Sequence, residues 1–202
     1  MPDLTGDAER SRAAKIALRG RLITARRELT SADRLTAAAH LQNHIRAHVR
    51  RGHPSTIAAY VPVGPEPGGA DLPVVLAGLA RVLLPVLLPD GDLDWVEFTG
   101  SLTAGPRGLR EPVGPRLGVD AITSADLVLV PALAVDRRGV RMGRGGGSYD
   151  RVLARLPFPA RPPIMALLHE GELVESVPAE PHDRRVHGVF TPGSDIALIP
   201  VR

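Results

Sequence analysis

Apolar residues near the N-terminus recur at helical intervals. Over residues 7–29, Ala14, Leu18, Leu22 and Ala25 share a face, and a second helix starts at Ser31 as N-cap and runs through Leu35, Ala38, Leu41, Ile45 and Val49. Gly52 and Pro54 stop it. The pattern then changes to short apolar runs at residues 56–61 (TIAAYV), 81–88 (RVLLPVLL), 93–98 (LDWVEF), 126–133 (DLVLVPAL) and 163–169 (PIMALLH). Several are separated by helix-length segments, as in a parallel sheet covered by helices on both faces. The pattern predicts one α/β domain over residues 1–202, a three-layer α/β/α sandwich with a mostly parallel open sheet and an N-terminal helical pair, residues 1–10 being flexible. Residues 100–118 are rich in glycine and proline and read as a long loop, of the kind that is functional or mobile.

Composition narrows the chemistry. With 202 residues and 44% apolar content the chain fits a single core. Cysteine is absent, which removes disulfides, thiolate nucleophiles and zinc–thiolate sites together. The N-terminus mixes acids and arginines where a signal peptide needs an apolar centre, so a cytoplasmic protein is expected. Residues 72–89 are the one membrane-like stretch, but Arg81 at its centre and Pro73, Pro85 and Pro89 suit a buried helix followed by a strand. The formal charge is +3 while the pI is about 10.1, because Lys15 is the only lysine and the other basic residues are arginines. Anionic ligands fit that balance.

Residues 141–151, RMGRGGGSYDR, pack four glycines, three arginines and an aspartate between a buried-strand candidate and a helical pattern. A glycine-rich strand-to-helix connection in an α/β sheet offers bare backbone N–H groups to a phosphate. This context favours a phosphate cradle over a slack linker. The two common fingerprints fail, since G-x-G-x-x-G counted from Gly143 meets Ser148 and a P-loop needs a lysine that is missing.

The stretch MGRGGGSYDR resembles the G-x-G-G-G-Y-Y-D-R signature of the 5-formyltetrahydrofolate cyclo-ligase family. Three further segments agree in order: KIALR at residues 15–19 resembles K-x-x-L-R, AYVPVGPE at 59–66 resembles Y-x-P-x-x-x-E, and VPAEPHDRRVHGVFTP at 177–192 resembles P-x-E-x-H-D…T. LREP at 109–112 resembles a family I-x-E-P element. The chain departs at Ser148, where the family has tyrosine, at Gly68, Gly69 and Ala70, at His169 and Glu172, which replace phenylalanine and glutamine, and at His187, which replaces aspartate.

The resemblance implies an ATP- and magnesium-dependent cyclisation of 5-formyltetrahydrofolate to 5,10-methenyltetrahydrofolate through a phosphorylated formyl group, by a cytoplasmic monomer without membrane or nucleic-acid partners. ATP binding is implied for Lys15, Arg19, Gly143, Arg144, Gly145, Gly146, Gly147, Ser148, Tyr149, Asp150 and Arg151. Substrate binding falls to Val61, Glu66, Arg144, Gly145, Gly146, Gly147 and Ser148, catalysis to Arg144 and Tyr149, and the metal to Asp150 and Asp183. Each has an ordinary alternative: a solvated basic face for Lys15 and Arg19, helix-dipole or turn roles for the aspartates, an exposed loop carboxylate for Glu66 and a core aromatic for Tyr149. Two other functions compete, an arginine-rich nucleic-acid-binding module and a small-molecule kinase using the same cradle. His40, His44 and His48 stand at i, i+4, i+8 and read as a solvent-facing stripe rather than a metal site.

Overall fold

The computed structural model describes residues 4–180 and 183–199. It contains the helices α1 (Leu4–Glu28), α2 (Ser31–Gly52), α3 (Leu72–Ala77) and α4 (Ser148–Leu153). A seven-stranded sheet is formed by β1 (Thr56–Ala58), β2 (Arg81–Leu87), β3 (Leu93–Glu97), β6 (Leu127–Pro131), β9 (Ile164–Leu167), β11 (Gly188–Thr191) and β12 (Ser194–Leu198), in the order β12-β11-β9-β6-β1-β2-β3. The five inner strands run parallel, and the edge strands β3 and β12 are antiparallel. β4 (Leu102–Ala104) and β5 (Arg110–Pro112) form a hairpin, and β7 (Ala134–Asp136), β8 (Arg141–Met142) and β10 (Leu173–Val174) form a small third sheet.

Alternation along the strands splits the core in two. Ile57, Leu127, Leu129, Met165 and Leu167 face a layer closed by Leu41, Ile45 and Val49 of α2 and Leu72 and Leu76 of α3. Ala58, Val128, Val130, Ile164 and Ala166 face the other, closed by Val152 and Leu153 of α4 with Ile122. Strands apolar on both faces are what a helix-covered parallel sheet requires, so the expected three layers and mostly parallel open sheet are present. No helix among the described residues is long and apolar enough to cross a membrane.

Several local expectations change. The N-cap of α2 is Thr30, not Ser31: its hydroxyl accepts from the Asp33 amide at 3.1 Å, and the Asp33 carboxylate returns a bond to the Thr30 amide at 3.2 Å. Leu35 is 73% exposed and lies off the buried stripe. His44 and His48 are half-buried rather than solvent-facing, His44 lying 3.2 Å from the Pro192 carbonyl and His48 edge-on to Phe190. The long loop at 100–118 contains the β4–β5 hairpin. The apolar run after residue 126 is two strands, β6 in the main sheet and β7 in the small one, so the glycines leave from β8 rather than from the main sheet.

α1 stands apart from the main core. Leu18, Leu22 and Ile23 pack on Leu133, Ala134, Val140, Met142 and Val177, which belong to the small sheet and its surroundings. Its other anchors are polar. Arg26 is buried and pairs with Glu172 at 2.6 Å, and it also donates to the Ala132 carbonyl at the end of β6.

Candidate active site

The chain leaves β1 for β2 on one side, and β6 lies on the other side of β1. Strand order therefore reverses between β1 and β6, the position at which open α/β sheets bind ligands beyond their carboxyl ends. A cleft of about 870 Å³ opens there, lined by Tyr60 and Val61 after β1, by Pro131 at the end of β6 and by Ala132 and Leu133 after it. α1, the glycine loop and the β4–β5 hairpin supply its walls.

All but one of the candidate residues reach this cleft: Lys15, Arg19, Val61, Glu66, residues 143–150 and Asp183 line it. Arg151 does not line it. Its guanidinium instead bonds the Gly91 carbonyl at 2.7 Å and the Gly146 carbonyl at 3.3 Å, tying the glycine loop to the β2–β3 turn. Pro181 and His182, next to Asp183, lie outside the described residues.

The glycine loop is shaped by backbone that side chains resist. Gly145 has φ +101° and Gly147 has φ +71°, the left-handed region that glycine alone enters freely. A Cβ on Gly145 would stand 3.4 Å from the Arg19 guanidinium carbon, and Arg19 Nε donates to the Gly143 carbonyl at 3.1 Å. α1 and the loop are therefore in close contact, with the start of α4 behind them.

The charged groups are arranged in pairs. Lys15 Nζ donates to Asp183 at 2.6 and 2.9 Å and to Glu180 at 2.6 Å. Burial penalises the Lys15 ammonium, but the bonds and charges of Asp183 and Glu180 outweigh it and hold its pKa above the ordinary lysine value. Arg141, with 3% of its side chain exposed, donates to Asp150 at 2.7 Å. The Arg184 amide reaches the same Asp150 oxygen at 3.3 Å, so Asp150 and Asp183 are brought together by adjacent residues of one segment. Two carboxylates at one wall of a cleft suit magnesium, which takes one or two of them and fills its octahedron with waters and phosphate oxygens. No group of three or more His, Cys, Asp or Glu side chains gathers among the described residues, as an all-protein metal cage would need.

Glu66 lines the same cleft beside the glycine loop, its Oε2 accepting from the Val63 amide at 2.9 Å and its Oε1 3.6 Å from Arg144 Nε. Its loop is held by three buried side chains on the carbonyls of Pro65, Pro67 and Gly68. His169 Nε2 stands 2.9 Å from Pro65 O, Tyr60 Oη donates to Pro67 O at 2.7 Å, and Gln42 Nε2 donates to Gly68 O at 2.9 Å. Glu172 holds His169 in turn by accepting from its amide at 2.7 Å while paired with Arg26. Tyr149 packs against both core layers and lies under Arg141, whose Cζ is 5.9 Å from the ring centroid. Burial, reinforced by the Glu66 charge, pushes the Tyr149 phenol far above its ordinary pKa, so it stays protonated and can only donate its hydroxyl proton or accept on its oxygen.

A protein-family model described as the 5-formyltetrahydrofolate cyclo-ligase family matches residues 11–192. The chain belongs to that family. A 5-formyltetrahydrofolate cyclo-ligase of Mycolicibacterium smegmatis is 42% identical over 193 residues, which is 92% of this chain and 97% of the relative. The mouse cyclo-ligase is 25% identical over 88% of this chain and 93% of its own length. Among solved structures, the 5,10-methenyltetrahydrofolate synthetase of Aquifex aeolicus superposes with a TM-score of 0.78 at 21% identity, covering 93% of this chain and 94% of that one. That of Mycoplasma pneumoniae gives 0.69 at 18% identity over 88% and 98%. At such identities the likeness is one of fold, and it agrees with the α/β sheet described above.

This cyclo-ligase family member also carries site residues that the sequence reading left out. Arg141 belongs to the glycine stretch but lies in β8 between the apolar Val140 and Met142, where the pattern reads as buried strand. Its Nε is buried without a hydrogen-bond partner beside the cleft. Tyr60, Arg107 and Arg110 also line the cleft, the two arginines on the hairpin inside the predicted loop.

Proposed function

We propose that this chain closes 5-formyltetrahydrofolate to 5,10-methenyltetrahydrofolate at the expense of ATP, with magnesium. The observation that carries the reading is the single cleft in which a glycine loop, Lys15, Arg19, Asp150 and Asp183 face Glu66 and Val61, in a chain of the cyclo-ligase family. The chemical difficulty is a formyl amide whose oxygen is a poor leaving group. Transfer of the γ-phosphoryl group to that oxygen releases ADP and leaves an activated carbon, which N10 of the same folate attacks. The C–O bond then breaks, inorganic phosphate carries the oxygen away and N10 loses its proton, leaving the methenyl bridge between N5 and N10.

Such a reaction needs positioning and charge neutralisation more than a nucleophilic side chain. In this reading the backbone N–H groups of residues 143–148 cradle phosphate oxygens, with Lys15 and Arg19 supplying positive charge from α1. Asp150 and Asp183 would hold the magnesium, which supplies charge neutralisation at the phosphates. Arg144, placed between the glycine loop and Glu66, serves both ligands. Glu66 accepts from pterin N–H groups, and Tyr149 shields the reacting centre from water. Arg151 keeps the loop in shape from behind, a role that differs from direct contact with ATP.

The test is the growth of methenyltetrahydrofolate absorbance from 5-formyltetrahydrofolate with ATP and magnesium. Stoichiometric ADP and phosphate are expected, and a stable phosphorylated folate without ring closure would identify a kinase instead. Absence of product under all combinations of the three would overturn the reading.

A further inference from the structure

The cleft does not end at Glu66. It continues past Pro85 and Leu87 of β2 to Arg107, Leu109, Arg110 and Glu111 of the hairpin. Five cations of the cleft have partners, Lys15 on Asp183 and Glu180, Arg26 on Glu172, Arg141 on Asp150, Arg144 beside Glu66, and Arg19 on the Gly143 carbonyl, while exposed Arg12 on α1 has none among the described residues. The side chains of Arg107 and Arg110 make no hydrogen bond or ion pair with any described residue, yet both line the cleft. The neighbouring Glu111 forms no ion pair with either. Its Oε1 accepts from the Leu87 amide at 2.9 Å, and its side chain fills the space that a Cβ on Gly105 would take.

The backbone that presents the two arginines is fixed. Gly105 N donates to Leu109 O at 2.8 Å, Leu109 N donates to Pro106 O at 3.0 Å, and Arg107 is held at φ 57°, ψ 27°, a left-handed conformation uncommon outside glycine. A conformation maintained against local preference is a reason to look for function at that position. Ile16 of α1, which lines the same cleft, is an apolar side chain left 60% exposed.

We infer that Arg107 and Arg110 form a carboxylate subsite at the hairpin end of the cleft that takes the glutamyl end of the folate, with Leu109 and Ile16 offering apolar surface to the ring that precedes it. The inference rests on the folate reading above. Of the substrate's three chemical parts, the pterin suits Glu66 and the reacting formyl group must meet the phosphates at the glycine loop, which leaves a dicarboxylate for the remaining end. Guanidinium forks match carboxylates in paired hydrogen bonds, and a site already rigid loses little entropy in making them.

The experiment crosses protein and ligand. Wild type, Arg107→Ala/Arg110→Ala and Arg107→Lys/Arg110→Lys are assayed with 5-formyltetrahydropteroylglutamate and with 5-formyltetrahydropteroate, which lacks the glutamyl carboxylates. Thermal midpoints check that each variant is folded. The expected result for the double alanine variant is a KM for the glutamylated substrate raised roughly ten- to a hundredfold. Its KM for the pteroate and for ATP should be unchanged, and the double lysine variant should recover part of the loss. Equal losses for the two folates, no loss for either, or a loss confined to ATP would each overturn the subsite. Wild type that turns over the pteroate and the glutamylated substrate with the same KM overturns it as well while leaving the folate reading intact, whereas wild type that turns over neither overturns that reading itself.

Discussion

Lys15 joins α1 to Asp183 and Glu180 through one ammonium, so the proposed phosphate side of the cleft depends on it directly. Lys15→Ala should lower kcat/KM for ATP by ten- to a hundredfold, the loss of a charge-assisted contact of roughly 1.5–3 kcal/mol. Steady-state kinetics with ATP varied in a folded variant checks this. Asp150→Asn and Asp183→Asn should each raise the magnesium needed for half-maximal activity, and the double variant should lose less than the sum of the singles, as groups acting on one ligand do. Magnesium titrations of the three variants decide it. Strictly additive losses at constant magnesium requirement would reduce the aspartates to partners of Lys15 and Arg141. Glu66→Gln should weaken folate and spare ATP, which calorimetric titration of each ligand separates. That Lys15, Arg19, Glu66, Asp150 and Asp183 gather at one cleft was legible in the sequence, because each sits at a fixed offset in an ordered motif; the ligands assigned to them are part of the proposal. Arg107 and Arg110 were not legible, since in a chain whose basic residues are nearly all arginine, two more on an irregular loop carry no signal until a cleft passes beside them.

At the scale of elements, the small sheet is organised by Asp136, which has a side chain with no exposed surface. It accepts from the Arg138 and Val140 amides at 2.8 and 3.0 Å, from the Val177 amide at 3.1 Å and from the Arg138 guanidinium at 2.7 Å. Burial works against its charge, but these donors prevail and hold its pKa below the ordinary carboxylate value. A carboxyl with a lowered folded pKa stabilises the fold fully above its unfolded pKa, about 3.9, and that contribution fades as pH falls through the folded value. Asp136→Asn should therefore cost about 2–3 kcal/mol at neutral pH and progressively less in acid. Chemical denaturation of both proteins across the acid range measures it, and a difference independent of pH would exclude ionised Asp136 as the cause. Helices α1 and α2 and the strands β1, β2, β3, β6 and β9 were readable from periodicity and apolar runs, whereas β11 and β12 lie outside those runs. β7, β8, β10 and the β4–β5 hairpin were not readable either, because strands of two or three residues have no period to read and β10 joins β7 from far along the chain.

Across the whole molecule, the two core layers that enclose the main sheet meet through Tyr149, while α1 lies outside both and is fastened to the small sheet by few apolar side chains and by charges. The wall of the cleft that carries Lys15 and Arg19 thus rests on the smallest of the three hydrophobic clusters. Regions of that kind open locally with less free energy than the global unfolding reaction. Opening α1 releases Lys15, Arg26 and their carboxylates into solvent, and dissolved ions favour that separated state, the Debye length shrinking to about 3 Å at 1 M salt. Amide hydrogen exchange should accordingly be faster in α1 than in β6 and β9, and raising the salt should accelerate α1 alone. Uniform acceleration of helix and sheet would mean that α1 exchanges only through global unfolding. If α1 exchanges by itself, ionic strength becomes a dial on how often this enzyme presents a complete cation wall, and the nucleotide affinity proposed for that wall should drift with salt even where the chemistry of the bound complex does not.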